Sequence, residues 1–133
     1  MIIHLSQEWS LDVPEDLQHR KEGDHVVFWK EGMTLITTIF AYSGEKQRQV
    51  LLANLKGRVE ADKLESIVDN DGEIQRYAYL QPEEVIPGHT RLAVHAFTTA
   101  LYGVLQTSFY IDNSDDLQEC LQIWKSVEWA DFS

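Results

Sequence analysis

The chain has 133 residues, enough for one hydrophobic core and too few for a multi-domain enzyme. Apolar residues make up 44% of it and charged residues 25%, which excludes wholesale disorder and fibrous repeats. Against 11 Lys and Arg stand 22 Asp and Glu, a net charge of −11 concentrated in residues 67–133, and this excludes nucleic acid and anionic membrane surfaces as partners, since binding to them rests on cations displacing counterions.

In chain order, Trp9-Ser10-Leu11-Asp12-Val13-Pro14 alternates apolar with polar, so Trp9, Leu11 and Val13 share a face of a short edge or near-edge strand that Pro14 ends. The runs His25–Lys30 and Met33–Tyr42 are rich in β-formers, and Glu31-Gly32 between them suits a tight hairpin. In the second run both faces carry apolar bulk, which predicts a strand covered on both sides. From Glu45 to Lys56 the period becomes helical: Leu51, Leu52, Leu55 and Val59 form the buried stripe, with Lys46, Gln47, Arg48, Gln49 and Asn54 to solvent. Ser43 or Gly44 caps this helix and Gly57 ends it.

Next, Leu64–Val68 and Ile74–Leu80 form a hairpin across Asp69-Asn70-Asp71-Gly72, residues that tolerate positive φ. Pro82–Gly88 reads as a surface loop. The uncharged stretch Leu92–Ile111 is long enough to span a bilayer, yet its threonines, His95, Gln106 and β-branched residues read as two buried strands around a turn or bulge at Ala100–Gly103, with one continuous bent strand as the alternative. Asn113-Ser114-Asp115-Asp116 opens a last helix with Ser114 as its cap and the two aspartates at the positive end of its dipole. Leu117, Cys120, Leu121, Trp124 and Val127 then mark its apolar face.

These elements make one α+β domain spanning residues 1–133. It is a mainly antiparallel sheet of six or seven strands, built from hairpins, with the middle and C-terminal helices packed on it as an α/β/α sandwich. The lone Cys120 cannot form an internal disulfide, and the N-terminus lacks a basic region followed by a long apolar run, so cytoplasm is the expected compartment.

The Trp9–Pro14 strand, the hairpin and helix after it, and the strand Ser108-Phe109-Tyr110-Ile111-Asp112 leading to the helix that ends Ile123-Trp124-Lys125-Ser126-Val127 together resemble the Mog/PsbP-like fold. That fold is shared by the photosystem II extrinsic P subunit, the nuclear import factor Mog and small bacterial domains. The resemblance implies a non-enzymatic role in docking onto other proteins, and it assigns no residue a function.

The chemistry-bearing residues are sparse. His4, His19, His25, His89 and His95 fall in no metal-ligand spacing, so neither a metal nor a cofactor is expected. Ser108, His95 and Asp112 can meet across neighbouring strands, but no nucleophile elbow accompanies them, and no catalytic residue is assigned. Cys120 lies on the apolar face of its helix and reads as core. Aromatic anchors remain: Trp29, Tyr77 and Tyr79 are the candidate partner-binding residues, with packing under a helix as the alternative. The expected function is a protein-binding or accessory module that neutralises a basic partner. The alternative is a small-molecule binder or enzyme with a pocket between sheet and helix, near His95 and Tyr110.

Overall fold

A computed structural model describes residues 1–42 and 44–130. Among these described residues ten strands and two α-helices follow one another: β1 (Ile2–His4), β2 (Trp9–Asp12), β3 (Gln18–Glu22), β4 (His25–Lys30), β5 (Met33–Ala41), α1 (Glu45–Asp62), β6 (Glu65–Val68), β7 (Gln75–Ile86), β8 (His89–Thr99), β9 (Gly103–Ile111), α2 (Leu117–Lys125) and β10 (Glu128–Trp129). They form a seven-stranded antiparallel sheet in the order β3-β4-β5-β9-β8-β7-β6 and a three-stranded sheet in the order β1-β2-β10. The α+β class, the hairpin construction and both helices are as the sequence predicts.

Turn chemistry sets the hairpins. Lys30 pairs with Met33 across Glu31-Gly32, and Gly32 takes φ 81°, a conformation that costs a residue without Cβ little. After β5 the chain leaves the middle of the sheet. Helix α1 carries it across one face to β6 at the far edge, and the β6-β7-β8-β9 meander brings it back to pair with β5. That crossing places α1 over β7, β8 and β9, where Leu52, Leu55 and Val59 pack on Tyr77, Tyr79, Phe97 and Val104. The opposite face carries the larger core: Phe28, Leu35, Val94, Leu105 and Phe109 meet Trp9 and Leu11 of the small sheet and Cys120, Ile123 and Trp124 of α2. The Trp124 indole Nε1 donates to Phe97 O at 3.3 Å, so its polar edge is satisfied inside that core.

Several expectations are corrected. Strand β2 is the centre of the small sheet, because β1 and β10 both pair with it. Helix α1 runs through Gly57 to Asp62: the stripe Leu52, Leu55, Val59 continues past the glycine, and one glycine costs a packed helix only about 1 kcal/mol. It ends where Lys63 turns left-handed at φ 54°. Its capping residue is Gly44, without a side-chain bond, and the Ser43 alternative lies outside the described residues.

Residues 82–86 are strand, with only Pro87-Gly88 as the turn. Strand β6 reaches no further along β7 than Leu80, so Pro82 lies on a free edge where a missing N–H costs no ladder bond. At the last helix the cap is the Asn113 side chain, which accepts from Asp115 N at 2.9 Å, and a 3-10 turn at Ser114–Asp116 precedes α2. The second face of β5 is not covered: Phe40 is 47% exposed, and Thr34, Ile36 and Thr38 are only half-buried, because α1 lies over the other half of the sheet. Among the described residues no helix is long and apolar enough to cross a membrane, and Leu92–Ile111 is β8 and β9.

Candidate functional site

The α1 face of the main sheet is divided. Over β7 and β8 it is roofed by the helix; over β3, β4, β5 and the outer half of β9 it is open. Alternation along each strand sends Val27 and Trp29 (β4), Thr34, Ile36, Thr38 and Phe40 (β5), and Gln106, Ser108 and Tyr110 (β9) to this open face, as the cross-strand pairs Val27–Ile36, Trp29–Thr34, Ile36–Ser108 and Thr34–Tyr110 show. Most of these residues are half-buried. Arg20 on β3 stacks over the Trp29 ring at 5.4 Å.

Of the three aromatic residues predicted to bind a partner, Trp29 is therefore on the open face. Tyr77 and Tyr79 are buried beneath α1, packed with Leu52, Leu55 and Val59, and Arg58 of α1 lies 5.7 Å above the Tyr79 ring.

A polar chain crosses the boundary between the roofed and open halves. His95 Nδ1 is 2.9 Å from Ser108 Oγ, and His95 Nε2 is 2.5 Å from Glu83 Oε2. Gln106 Nε2 donates to Ser108 Oγ at 3.0 Å. With a neutral imidazole this geometry lets the Ser108 hydroxyl donate to Nδ1 while Nε2–H donates to the Glu83 carboxylate. Tyr79 and Tyr110 flank the imidazole at 5.2 and 6.0 Å, and burial pushes both phenols above their ordinary range, with the Glu83 carboxylate acting in the same direction.

The predicted meeting of His95 with Ser108 is present, but Asp112 is not the third member. Its carboxylate takes Arg91 Nε at 2.8 Å instead. Glu83 was not identified because residues 82–86 read as a loop, whereas strand register carries Glu83 up the same face as Tyr79 and His95. The set has the order of a Ser-His-acid triad without its surroundings. Strands β8 and β9 are paired on both sides, so among the described residues their backbone N–H groups are spent in ladder bonds and form no oxyanion cradle around Ser108. Among the described residues, no three His, Cys, Asp or Glu side chains come together as metal ligands.

Beside this chain runs a groove of about 430 Å³ between α1 and the open sheet. Its floor is Phe97 and Val104, its walls are Phe40 on β5 and Val50 and Leu51 on α1, and Gln47, Asn54, Gln106 and Tyr42 complete it. Phe40 and Val50 are 47% and 54% exposed, unusual for large apolar side chains that face each other across a cleft. Sequence reading missed Val50 because it falls outside the stripe that packs on the sheet.

No family model and no curated protein matches the chain. Among solved structures it is similar to an uncharacterised protein from Bacteroides thetaiotaomicron VPI-5482, with a TM-score of 0.70 at 14% identity over 93% of this chain. The match covers 46% of that protein, so the chain spans about half the length of the structure it resembles. At this identity the likeness concerns the fold.

Proposed function

We propose that this chain is a non-catalytic protein-binding module of Mog/PsbP-like architecture that docks a partner through the uncovered half of its main sheet. The observation that carries the reading is that open half-face, where Trp29, Ile36, Phe40 and Tyr110 lie side by side on rigid central strands and α1 leaves them without a roof. A sheet face bearing this much apolar surface is ordinarily covered by another layer, and here the layer would come from the partner. The resemblance to a fold whose members mostly dock onto other proteins supports the same reading.

Charge suits a basic partner. Helix α1 holds Lys46, Arg48, Lys56 and Arg58 against Glu45, Glu60 and Asp62, a balance of +1, so the −11 of the chain is carried by its other surfaces. An acidic field of that kind speeds the approach of a basic protein and disfavours acidic ones, while the apolar face supplies the contact. Work in a reducing compartment fits the lone buried Cys120.

The test is site-specific photocrosslinking in the native host, with a photoreactive phenylalanine in place of Ile36 or Trp29. One discrete protein adduct at these positions, absent when the same group replaces Lys125 on α2, is the expected result. Failure of every open-face position to crosslink would remove the reading.

The competing class, an enzyme or small-molecule binder, draws on the Glu83–His95–Ser108 chain. Its weakness is that the backbone N–H groups of β8 and β9 are committed to ladder bonds and offer no oxyanion cradle.

A further inference from the structure

The geometry points to the groove between α1 and β5–β9 as the seat of an uncharged amphipathic helix of the partner, laid alongside α1. This inference rests on the protein-binding reading and names the element that fills the open face.

Three observations select this occupant. First, the groove is neutral: a quarter of the chain is charged, yet none of the nine residues lining the groove is. A Lys or Arg pressed onto Phe97 and Val104 would lose water and meet no carboxylate there, so the contacting stripe must be uncharged even when the rest of the partner is basic. Second, the wall is itself a helix. Val50, Leu51, Gln47 and Asn54 lie on one flank of α1 at helical spacing, so the groove follows the α1 axis, and a second helix packed against that flank at about 8–10 Å would rest on the sheet in the same layer as α1. An extended strand would find no free backbone there, because β5 and β9 are paired on both sides. Third, the Gln106 amide is already given to Ser108 Oγ, and the Asn54 amide on the α1 wall can both donate and accept, which suits a Ser, Thr, Asn or Gln bordering an apolar stripe.

The contact itself should be short and apolar, with Phe40 and Val50 closing over the incoming helix from opposite sides. Both are already about half in water, so replacing them removes docking surface and leaves the core beneath intact.

The experiment uses the full chain, labelled with nitrogen-15, and two synthetic 16-residue helices of Leu, Ala, Gln and Ser. One has an uninterrupted apolar stripe, and the other carries Lys at two stripe positions. The neutral helix is expected to shift the amide signals of Phe40, Val50, Phe97 and Val104. The Lys-bearing helix should bind at least tenfold more weakly, and the double variant F40S/V50D should lose at least tenfold affinity for the neutral helix with an unchanged melting temperature. Equal binding of both helices, absence of groove shifts at millimolar peptide, or self-association of the chain that V50D abolishes would each overturn the inference. Photocrosslinking from position 50 in the native host separates the two proposals. An adduct at position 36 without one at position 50 leaves the protein-binding reading standing and removes the groove, whereas no adduct at either removes both.

Discussion

Arg48 Nε donates to Thr99 Oγ1 at 3.1 Å, so an arginine of α1 is fastened to the end of β8. The same guanidinium donates to Thr99 O at 3.2 Å, to Glu45 Oε2 at 3.2 Å and to the Glu73 carbonyl, and it is 4% exposed. Thr99 Oγ1 passes the connection on by donating to Gln75 O at 2.8 Å. The helix that roofs half of the sheet is thus held by a charged fork as well as by Leu52, Leu55 and Val59.

Replacing Arg48 with Ala removes several charge-assisted bonds at once, including the buried one to Thr99 O, a loss of about 3 kcal/mol. Urea denaturation of R48A should show this as a lower midpoint at unchanged slope. R48K should fall between the two, since an ammonium keeps the charge and loses the planar fork.

The Glu83–His95–Ser108 chain gives a direct test of the catalytic alternative. With the backbone N–H groups of β8 and β9 committed to ladder bonds, Ser108 should form no covalent adduct with a fluorophosphonate probe under conditions that label an ordinary serine hydrolase fully. Intact-protein mass spectrometry reads this out. An adduct that disappears in both S108A and H95N would transfer the site to the enzyme reading.

Alkaline pH should weaken the fold through Cys120. Burial pushes this thiol up to about 12 from 9.0, with Asp116 and Glu119 adding to the effect. Because the unfolded thiol gives up its proton first, the contribution is whole below pH 9 and declines as the pH rises from about 9 towards 12, by at most about 1.4 kcal/mol per pH unit. Tyr42, Tyr79 and Tyr110, raised mainly by burial, act with the same sign above pH 10. Denaturation midpoints should change little between pH 7.5 and 9 and fall by pH 10.5, with a smaller fall in Cys120→Ala, which keeps only the tyrosine part.

Gly57 sits inside α1 with nothing within 4 Å of where a Cβ would stand. G57A should therefore raise stability by about 0.5–1 kcal/mol through helix propensity and a less flexible unfolded chain. A thermal scan showing no gain would indicate that the glycine has a role the helix alone does not reveal.

Legibility in the sequence followed the strength of local pattern. The β4–β5 hairpin, the β8–β9 pair and α2 were readable because alternation, Gly-bearing turns or a clean apolar stripe marked each one. Strand β3, Gln18-His19-Arg20-Lys21-Glu22, was not, since an edge strand exposed throughout has no apolar partner to leave a signal. Strands β1 and β10 span three and two residues and exist only through pairing with β2. Arg48 looked like a solvent residue because nothing local reports a carbonyl from Glu73 waiting above it.

By itself, the sequence determined the α+β class, the acidic balance and the β4–β5 and β6–β7 hairpins, all of which depend on residues close together in the chain. Tertiary structure alone decided which aromatics are free. The path of α1 over β7, β8 and β9 buries Tyr77 and Tyr79 and leaves Trp29, Ile36 and Phe40 open, and it creates the neutral groove along its own flank. The physical reason is that one helix cannot cover the face of seven strands, and where it lies depends on the crossover from β5 to the distant edge at β6, a pairing choice made between residues far apart in sequence.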